Sequence, residues 1–225
     1  MSTVEAAGYG DGVHPREENN PPHPENNYGK SKLEAEKIVL NGNWKMECVV
    51  ARLPMVYGPG TRLIVPKLFG MVRRRIYPLI GFGDTKMEFC FVTNAVQALR
   101  LCGENPKAVG QLFYVSDSRS YTIREVISNV ANAMNCRIIF LRIPRSIALM
   151  LAGIWEIAAK LLPVPPLVSR YSGKPFFTRE TVRWTTKDVN IVSTEKIRDL
   201  LGYTPNTDIA TGCRITAQWL KAHDL

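Results

Sequence analysis

A helix followed at once by a buried strand and a glycine-containing loop is the pattern that most restricts the folds open to this chain. Apolar residues recur at helical spacing between positions 33 and 39, and Gly42 stands where a helix C-cap is expected, which predicts a helix over about residues 28–40. The mostly apolar run 47–52 predicts a strand buried on both faces, and residues 57–60 predict a loop. This order is typical of a parallel α/β sheet, in which ligands bind at the carboxyl ends of the strands.

Tyr28 and Lys32 lie at the start of this predicted helix, four residues apart. Side chains at that spacing project from one face, so the ammonium group can lie beside the phenol. A nearby cation favours the phenolate, which would make the phenol a usable general acid or base. Short motifs also arise by chance, and the alternative is an exposed helix start with a solvated lysine. The surrounding sequence has to decide between the two.

Blocks of sequence in a fixed order resemble the extended short-chain dehydrogenase/reductase superfamily. The first are Ser-Thr-Val-Glu-Ala-Ala-Gly at 2–8, Tyr-Gly-Lys-Ser-Lys at 28–32 and Arg-Leu-Pro-Met-Val-Tyr-Gly-Pro-Gly at 52–60. The similarity continues over nearly the whole chain, through residues 91–96, 110–115, 193–197 and 200–205. Within the superfamily the chain is most similar to the NAD-dependent epimerase/dehydratase group, and there to 3β-hydroxysteroid dehydrogenase/isomerase-type members.

The resemblance implies a role for each matching position. Tyr28 would be the general acid/base on the substrate hydroxyl or carbonyl, and Lys32 would assist it while contacting the nicotinamide ribose. Thr3 would hydrogen-bond the same substrate oxygen. Pro54 and Val56 match a segment whose backbone lines the nicotinamide pocket in relatives, although a proline that ends a strand is also an ordinary start of a loop. The expected cofactor is NAD or NADP, held by Tyr28, Lys32, Pro54 and Val56.

The front half of the family's nucleotide fold has no counterpart in this sequence. A dinucleotide fold needs a glycine-rich turn between its first strand and helix, so that backbone amides reach the pyrophosphate. The paired glycines of this chain lack the required spacing: positions 8, 10 and 12, 58 and 60, and 81 and 83. The resemblance therefore predicts an incomplete Rossmann-like parallel sheet, the C-terminal part of the nucleotide fold, with a small, mostly helical substrate lobe.

One α/β domain, truncated at its N-terminus, is expected over residues 1–225. Residues 1–60 and parts of 86–142 should lie on the sheet, and residues 61–85 and 143–225 largely in the substrate lobe. The composition, 45% apolar and 22% charged, is ordinary for a globular protein. Disorder is predicted only around residues 11–27, a stretch rich in Pro, Asn and Glu that would lie over the active site.

Capping residues and apolar patterns predict three helices and a strand in the second half of the chain. Thr122 and Glu125 have the capping-box spacing at the start of a helix over residues 122–134. Further helices are predicted at 194–201, ending at Gly202, and at 211–222, and a strand is predicted at 137–141.

The distribution of charge argues against a nucleic-acid partner, and the cysteine and histidine content argues against a metal site. The net charge of +9 would suit a nucleic acid, but the positive residues are scattered. Their single run, residues 73–75, is expected on the solvated side of a helix over about residues 65–75, so no nucleic-acid partner is expected. Five cysteines without a C-x-x-C pair and three histidines predict no metal site. Scattered, unpaired cysteines are typical of the cytoplasm.

The segment 144–163 contains an uncharged apolar run at 147–155. This run is shorter than the ~18 to 20 residues that cross a bilayer. The favoured interpretation is a buried or substrate-pocket helix. The alternative is a peripheral membrane contact, with Trp155 at the interface and basic side chains near anionic headgroups, namely Arg142, Arg145, Lys160, Arg170 and Lys174. A homodimer is a further open alternative.

Three functions remain open on the sequence. The first is an NAD(P)-dependent, 3β-hydroxysteroid dehydrogenase-like oxidoreductase acting on a CH–OH group of a hydrophobic, steroid-like alcohol through a Tyr28/Lys32/Thr3 proton relay. The second is a nucleotide-sugar epimerase or dehydratase, in which Arg62 and Arg73 could hold a diphosphate. The third is a truncated, non-catalytic product. The apolar run 147–155 favours the first over the second.

Overall fold

The structure is a computed structural model that describes residues 1–11, 14–61, 64–161, 178–186 and 191–223. The sequence-based proposals for Arg62, Arg170 and Lys174, and for the side chain of Lys160, concern parts of the chain outside this description.

Short strands alternate with helices through the described residues. The strands are β1 (Ser2–Thr3), β2 (Val50–Leu53), β3 (Met55–Tyr57), β4 (Ile76–Ile80), β5 (Lys86–Phe91), β6 (Leu112–Tyr114), β7 (Ser120–Thr122) and β8 (Ile139–Ile143). The helices are α1 (Asn27–Asn41), α2 (Ile64–Arg73), α3 (Val92–Glu104), α4 (Ile123–Ala133), α5 (Arg145–Leu161), α6 (Arg179–Trp184), α7 (Glu195–Leu201) and α8 (Ile209–Ala222), with 3₁₀ turns at Val4–Ala6 and Pro106–Ala108.

Most strand pairs are parallel, which confirms the predicted α/β class. The first sheet has the order β1-β2-β6, with Thr3 opposite Leu53. In the second sheet β3 pairs in parallel with β5, which pairs antiparallel with β7, and β4 and β8 form a parallel pair of their own. Pro54 lies between β2 and β3, where the chain passes from the first sheet to the second. Tyr57, expected in a loop, ends β3 instead.

Two apolar clusters hold these elements together. Around Phe91 and Ile127, side chains from the second sheet pack against α2, α4 and α8. Around Phe113 and Ile197, side chains from β2 and β6 pack against α3 and α7. Each fully buried side chain of this size contributes about 1.5–3 kcal/mol relative to exposure.

The capping signals read from the sequence are mostly confirmed. The Thr122 hydroxyl accepts a hydrogen bond from the Glu125 amide, and the Glu125 carboxylate accepts one from the Thr122 amide. Gly202 ends α7 in the left-handed conformation, with φ of 72°. The helix predicted at 211–222 begins earlier, because the Asp208 side chain accepts a hydrogen bond from the Thr211 amide and caps α8. That bond lowers the pKa of Asp208.

Other boundaries differ from the prediction. The helix expected to run to residue 75 ends at Arg73, and Arg75 has a φ of 63°, which turns the chain into β4. The strand predicted at 137–141 lies at Ile139–Ile143, because its register is set by pairing with β4.

The segment 14–27, expected to be disordered, makes fixed contacts. The buried Arg16 donates hydrogen bonds to the carbonyl oxygens of Tyr9, at 3.2 Å, and Pro21, at 2.7 Å. The Glu18 carboxylate accepts a hydrogen bond from the Tyr114 amide at the free edge of β6. This correction follows from side-chain to backbone bonds, which composition does not reveal.

Helix α5 is buried on one side and exposed on the other, so the expectation of a buried helix holds for one side of it, and its expected place at a substrate pocket stays a prediction. Ala148 and Ala152 are fully buried against Val182 of α6, whereas larger apolar residues on the other side are exposed. Among the described residues, no helix combines the length and the apolar character that crossing a membrane requires.

Candidate active site

Tyr28 and Lys32 lie on the first turns of α1, as the spacing predicted. The Lys32 Nζ is 6.0 Å from the centre of the Tyr28 ring, at the outer limit for attraction between a cation and an aromatic face. Tyr28 is 55% exposed. The phenol can therefore be reached from solvent with a cation beside it.

The start of α1 is fastened to the 3₁₀ turn that follows β1. The Asn26 Oδ1 accepts a hydrogen bond from the Gly29 amide at 2.7 Å, and its Nδ2 donates one to Glu5 Oε2 at 2.9 Å. A Cβ on Gly29 would lie 2.3 Å from the Glu5 carbonyl oxygen, so only glycine allows this approach. Gly29 and Asn26 thus bring the first turn of α1 against the segment that carries Thr3. An Asn before a helix is a recognisable N-cap signal.

Thr3 ends β1 and is 9% exposed. Its Oγ1 accepts a hydrogen bond from the Glu5 amide at 3.3 Å, which leaves the O–H of Thr3 as a donor. Leu53 lies opposite Thr3, so Pro54 follows at the same carboxyl edge of the parallel pair. Val56 lies two residues farther along, on β3 of the second sheet, and is 36% exposed.

A buried ion pair, missed by the sequence reasoning, joins α1 to the first sheet. The Arg52 guanidinium donates two hydrogen bonds to the Glu36 carboxylate, at 2.9 and 2.7 Å, and a third to the Tyr114 hydroxyl at 3.0 Å. The hydroxyl of Ser2 also donates to Glu36. Burial opposes the charge of Arg52, but the bond to Glu36 and the neighbouring Tyr114 outweigh it and raise the pKa of Arg52.

The pair was missed because the apolar spacing in α1 suggested another buried face. In the structure Ala35 and Ile38 are exposed, and the buried residues of α1 are Gly29 and Glu36. The sequence signal was Arg52 at the end of a run predicted to be buried, because a buried charge needs a partner, but no local pattern identified Glu36 as that partner.

The block at residues 91–96 has a structural role. The Asn94 Nδ2 donates to Asp117 Oδ1 at 2.7 Å, and its Oδ1 accepts from the amides of Asn206 and Thr207. Burial raises the pKa of Asp117. This network ties α3, the end of β6 and the approach to α8 together.

Arg73, suggested for a substrate diphosphate, is exposed at the end of α2. This helix packs mainly against α4 and β4 rather than against α1. The structure packs the first turn of α1, which carries Tyr28, against the turn that follows Thr3, and it places Pro54 at the strand edge beside Thr3. Arg73 lies at the exposed end of α2.

Comparison with known proteins adds a family context to this geometry. The family model described as "NAD dependent epimerase/dehydratase family" matches residues 1–115. The chain is 29% identical over 205 residues to UDP-glucose 4-epimerase of Vibrio cholerae, covering 89% of this chain and 56% of that protein. It is 28% identical over 210 residues to 3beta-hydroxysteroid-dehydrogenase/decarboxylase isoform 1 of Arabidopsis thaliana, covering 87% of this chain and 46% of that protein.

A solved structure shows the same fold. UDP-glucuronic acid 4-epimerase from Bacillus cereus, in complex with UDP-glucuronic acid and NAD, superimposes with a TM-score of 0.68 at 18% identity. The match covers 99% of this chain and 60% of that one. The chain spans about half the length of the curated relatives it matches.

Proposed function

Since the chain belongs to the NAD dependent epimerase/dehydratase family, we propose that it carries the proton-transfer site of an NAD(P)-dependent oxidoreductase acting on a CH–OH group. The observation that carries the proposal is the exposed Tyr28 phenol with the Lys32 ammonium beside its ring. The family relationship agrees with the resemblance found in the sequence.

Each proposed role follows from what its side chain can do. In the direction of oxidation, the Tyr28 oxygen takes the proton of the substrate hydroxyl, and in reduction it returns that proton to the carbonyl oxygen. Lys32 supplies a positive charge from the same side of α1, 6.0 Å from the centre of the Tyr28 ring. The O–H of Thr3 donates to the same substrate oxygen and holds it toward Tyr28.

The described residues fit one end of a nicotinamide cofactor. The ammonium of Lys32 suits the ribose hydroxyls, and Pro54 lies at the strand edge beside Thr3. When bound, the nicotinamide would supply the hydride acceptor. The pyrophosphate end is not assigned to these residues: a Cβ on Gly8 would lie 1.9 Å from the His23 carbonyl oxygen, so this glycine serves a contact within the chain.

For the substrate we propose a hydrophobic secondary alcohol of steroid type. The similarity to the Arabidopsis 3beta-hydroxysteroid-dehydrogenase/decarboxylase supports this choice. In the proposed domain arrangement, residues 1–60 and parts of 86–142 form the nucleotide-fold part on the sheets. Residues 61–85 and 143–225 belong largely to the substrate lobe.

The test combines cofactor binding with turnover. NADH and NADPH fluorescence is titrated with the protein, and 3β-hydroxysteroid oxidation is followed by the appearance of reduced nicotinamide. Tyr28→Phe should lower turnover about 10²- to 10⁴-fold, the usual contribution of a general acid or base, with cofactor affinity nearly unchanged. Lys32→Ala should lower both turnover and cofactor affinity. The matched control Lys30→Ala, which changes an exposed lysine two residues away, should lower neither turnover nor cofactor affinity.

Two results would contradict the proposal. Turnover retained by Tyr28→Phe would overturn the assignment of Tyr28. Failure of both NADH and NADPH to bind would show that the chain is not an enzyme as it stands.

A nucleotide-sugar epimerase is the second candidate. It is favoured by the 29% identity to the Vibrio cholerae UDP-glucose 4-epimerase, which extends over 89% of the chain. The same Tyr28/Lys32 pair would serve it. Conversion of UDP-glucose to its 4-epimer, without net release of reduced nicotinamide and without steroid oxidation, would select this function.

A further inference from the structure

One side of α5 presents large apolar side chains to solvent. Five residues at helical spacing are between 44% and 59% exposed: Ile147, Met150, Leu151, Ile154 and Ile157. The opposite side uses the small residues Ala148 and Ala152 to pack against α6. An apolar stripe normally faces the core, so its outward position calls for an external partner.

The pair β4–β8 adds a second exposed apolar area. Ile76 lies opposite Ile139, and Pro78 lies opposite Leu141, so these four side chains share one face. Ile76, Ile139 and Leu141 are 55%, 67% and 58% exposed. The next pair on this face is Ile80 opposite Ile143, and both pack against the α5–α6 contact. The two areas therefore adjoin, and we call them together the apolar surface.

Arginines stand at both ends of the apolar surface. The run 73–75 directly precedes β4, and the carbonyl of Arg75 accepts a hydrogen bond from the Ile139 amide at 2.9 Å, at the start of β8. Arg137 precedes β8, and Arg145 begins α5 after it. All five of these arginines are exposed. The ion pairs seen among the described residues involve other arginines, such as Arg52, Arg119 and Arg179.

We infer that the apolar surface docks onto an anionic lipid bilayer. Apolar side chains would enter the boundary between headgroups and acyl chains, and the arginines would meet lipid phosphates and carboxylates. Arginine suits this border because its stem covers apolar area while its charge reaches the headgroups. A second copy of the chain is a poorer partner, because a two-fold contact through this surface would bring the arginines of the two copies together.

This inference does not depend on the proposed catalytic function. It can be tested by sedimentation with lipid vesicles, which needs neither cofactor nor turnover. Vesicles of phosphatidylcholine, with and without phosphatidylserine, are spun with the protein at low salt and at about 1 M salt, where charges are screened within roughly 3 Å. We expect co-sedimentation with the anionic vesicles at low salt and a loss of most of it at high salt.

Two pairs of variants separate the apolar and the charged contributions. Leu151→Glu/Ile154→Glu should lower vesicle affinity at least about tenfold, because it places two charges in the stripe. Its control is Ile38→Glu, which places one charge on a 60% exposed apolar residue of α1, so the comparison is made per added charge. Arg73→Gln/Arg74→Gln should lower affinity about tenfold or more, whereas Arg100→Gln/Arg198→Gln, which removes the same charge from α3 and α7, should change it less than about threefold. Circular dichroism checks that each variant is folded.

Three outcomes would overturn the inference. The wild-type protein could stay in the supernatant with anionic vesicles at low salt. The control pair could lower affinity as much as Arg73→Gln/Arg74→Gln, which would indicate net charge alone. Light scattering could show a dimer that Leu151→Glu/Ile154→Glu dissociates, without vesicle binding, which would make this surface a contact between copies.

Discussion

Helices α1 and α4 have apolar residues at similar spacing, but opposite kinds of contact hold them on the fold. Helix α4 buries Val126, Ile127, Val130 and Ala131 in the cluster around the second sheet. Helix α1 instead leaves Ile38 60% exposed and is held by a glycine contact, a polar cap and the Glu36–Arg52 pair.

The difference matches what each helix carries. Apolar packing is strong but non-directional, and it suffices for a helix that fills a layer. A bidentate arginine–carboxylate pair and a close backbone contact fix both position and rotation. Helix α1 carries Tyr28 and Lys32, whose proposed roles depend on their position relative to Thr3. Directional contacts are therefore expected in α1, and the following substitutions test that contrast.

The largest effect is expected for Arg52→Met. Removing the guanidinium leaves the Glu36 carboxylate buried without its cation, which should lower the free energy of unfolding by about 3–5 kcal/mol. The double variant Glu36→Leu/Arg52→Met removes both charges and should recover much of that loss. Urea denaturation followed by circular dichroism measures both. A cost below about 1 kcal/mol for Arg52→Met would show that the pair does not hold α1.

The next effect is the loss of apolar packing in α4. Ile127 is 1% exposed, and Ile127→Ala should cost about 2–5 kcal/mol because it leaves a cavity. The matched change Ile38→Ala in α1 should stay within about 0.5 kcal/mol. Equal costs in thermal unfolding would mean that Ile38 has a packing partner and that the contrast between the helices is false.

The contrast also explains which features could be read from the sequence. Helix α4 was predicted closely, since its capping box and apolar stripe are local patterns. Helix α1 was located correctly, but its buried side was not, because Glu36 meets Arg52 through a tertiary contact that no local pattern encodes. At the candidate site, the spacing of Tyr28 and Lys32 was visible in the sequence, while the fastening of Asn26 to Glu5 needed the fold.

A smaller effect is expected at the glycine contact. Gly29→Ala would place a methyl group 2.3 Å from the Glu5 carbonyl oxygen, so α1 must shift, at a cost of about 1–3 kcal/mol. The control is Gly103→Ala in α3, where a Cβ meets nothing within 4 Å and should stabilise by about 0.5–1 kcal/mol. If the site proposal is correct, Gly29→Ala also lowers turnover, because Tyr28 is the preceding residue. The two alanine variants should thus change the melting temperature in opposite directions.

The smallest effects are expected at the two caps, where the helices can be compared directly. Thr122→Ala removes the capping box of α4 and should cost about 1 kcal/mol. Asn26→Ala removes the cap of α1 and, in addition, the hydrogen bond to the Glu5 carboxylate, so its cost should be larger by about 0.5–1.5 kcal/mol. Asn26→Asp keeps an oxygen that can cap α1 but places a second carboxylate beside Glu5. At neutral pH its free energy of unfolding should therefore be no higher than that of Asn26→Ala. Equal costs for Thr122→Ala and Asn26→Ala in urea denaturation would mean that the hydrogen bond from Asn26 to Glu5 adds nothing to the cap of α1.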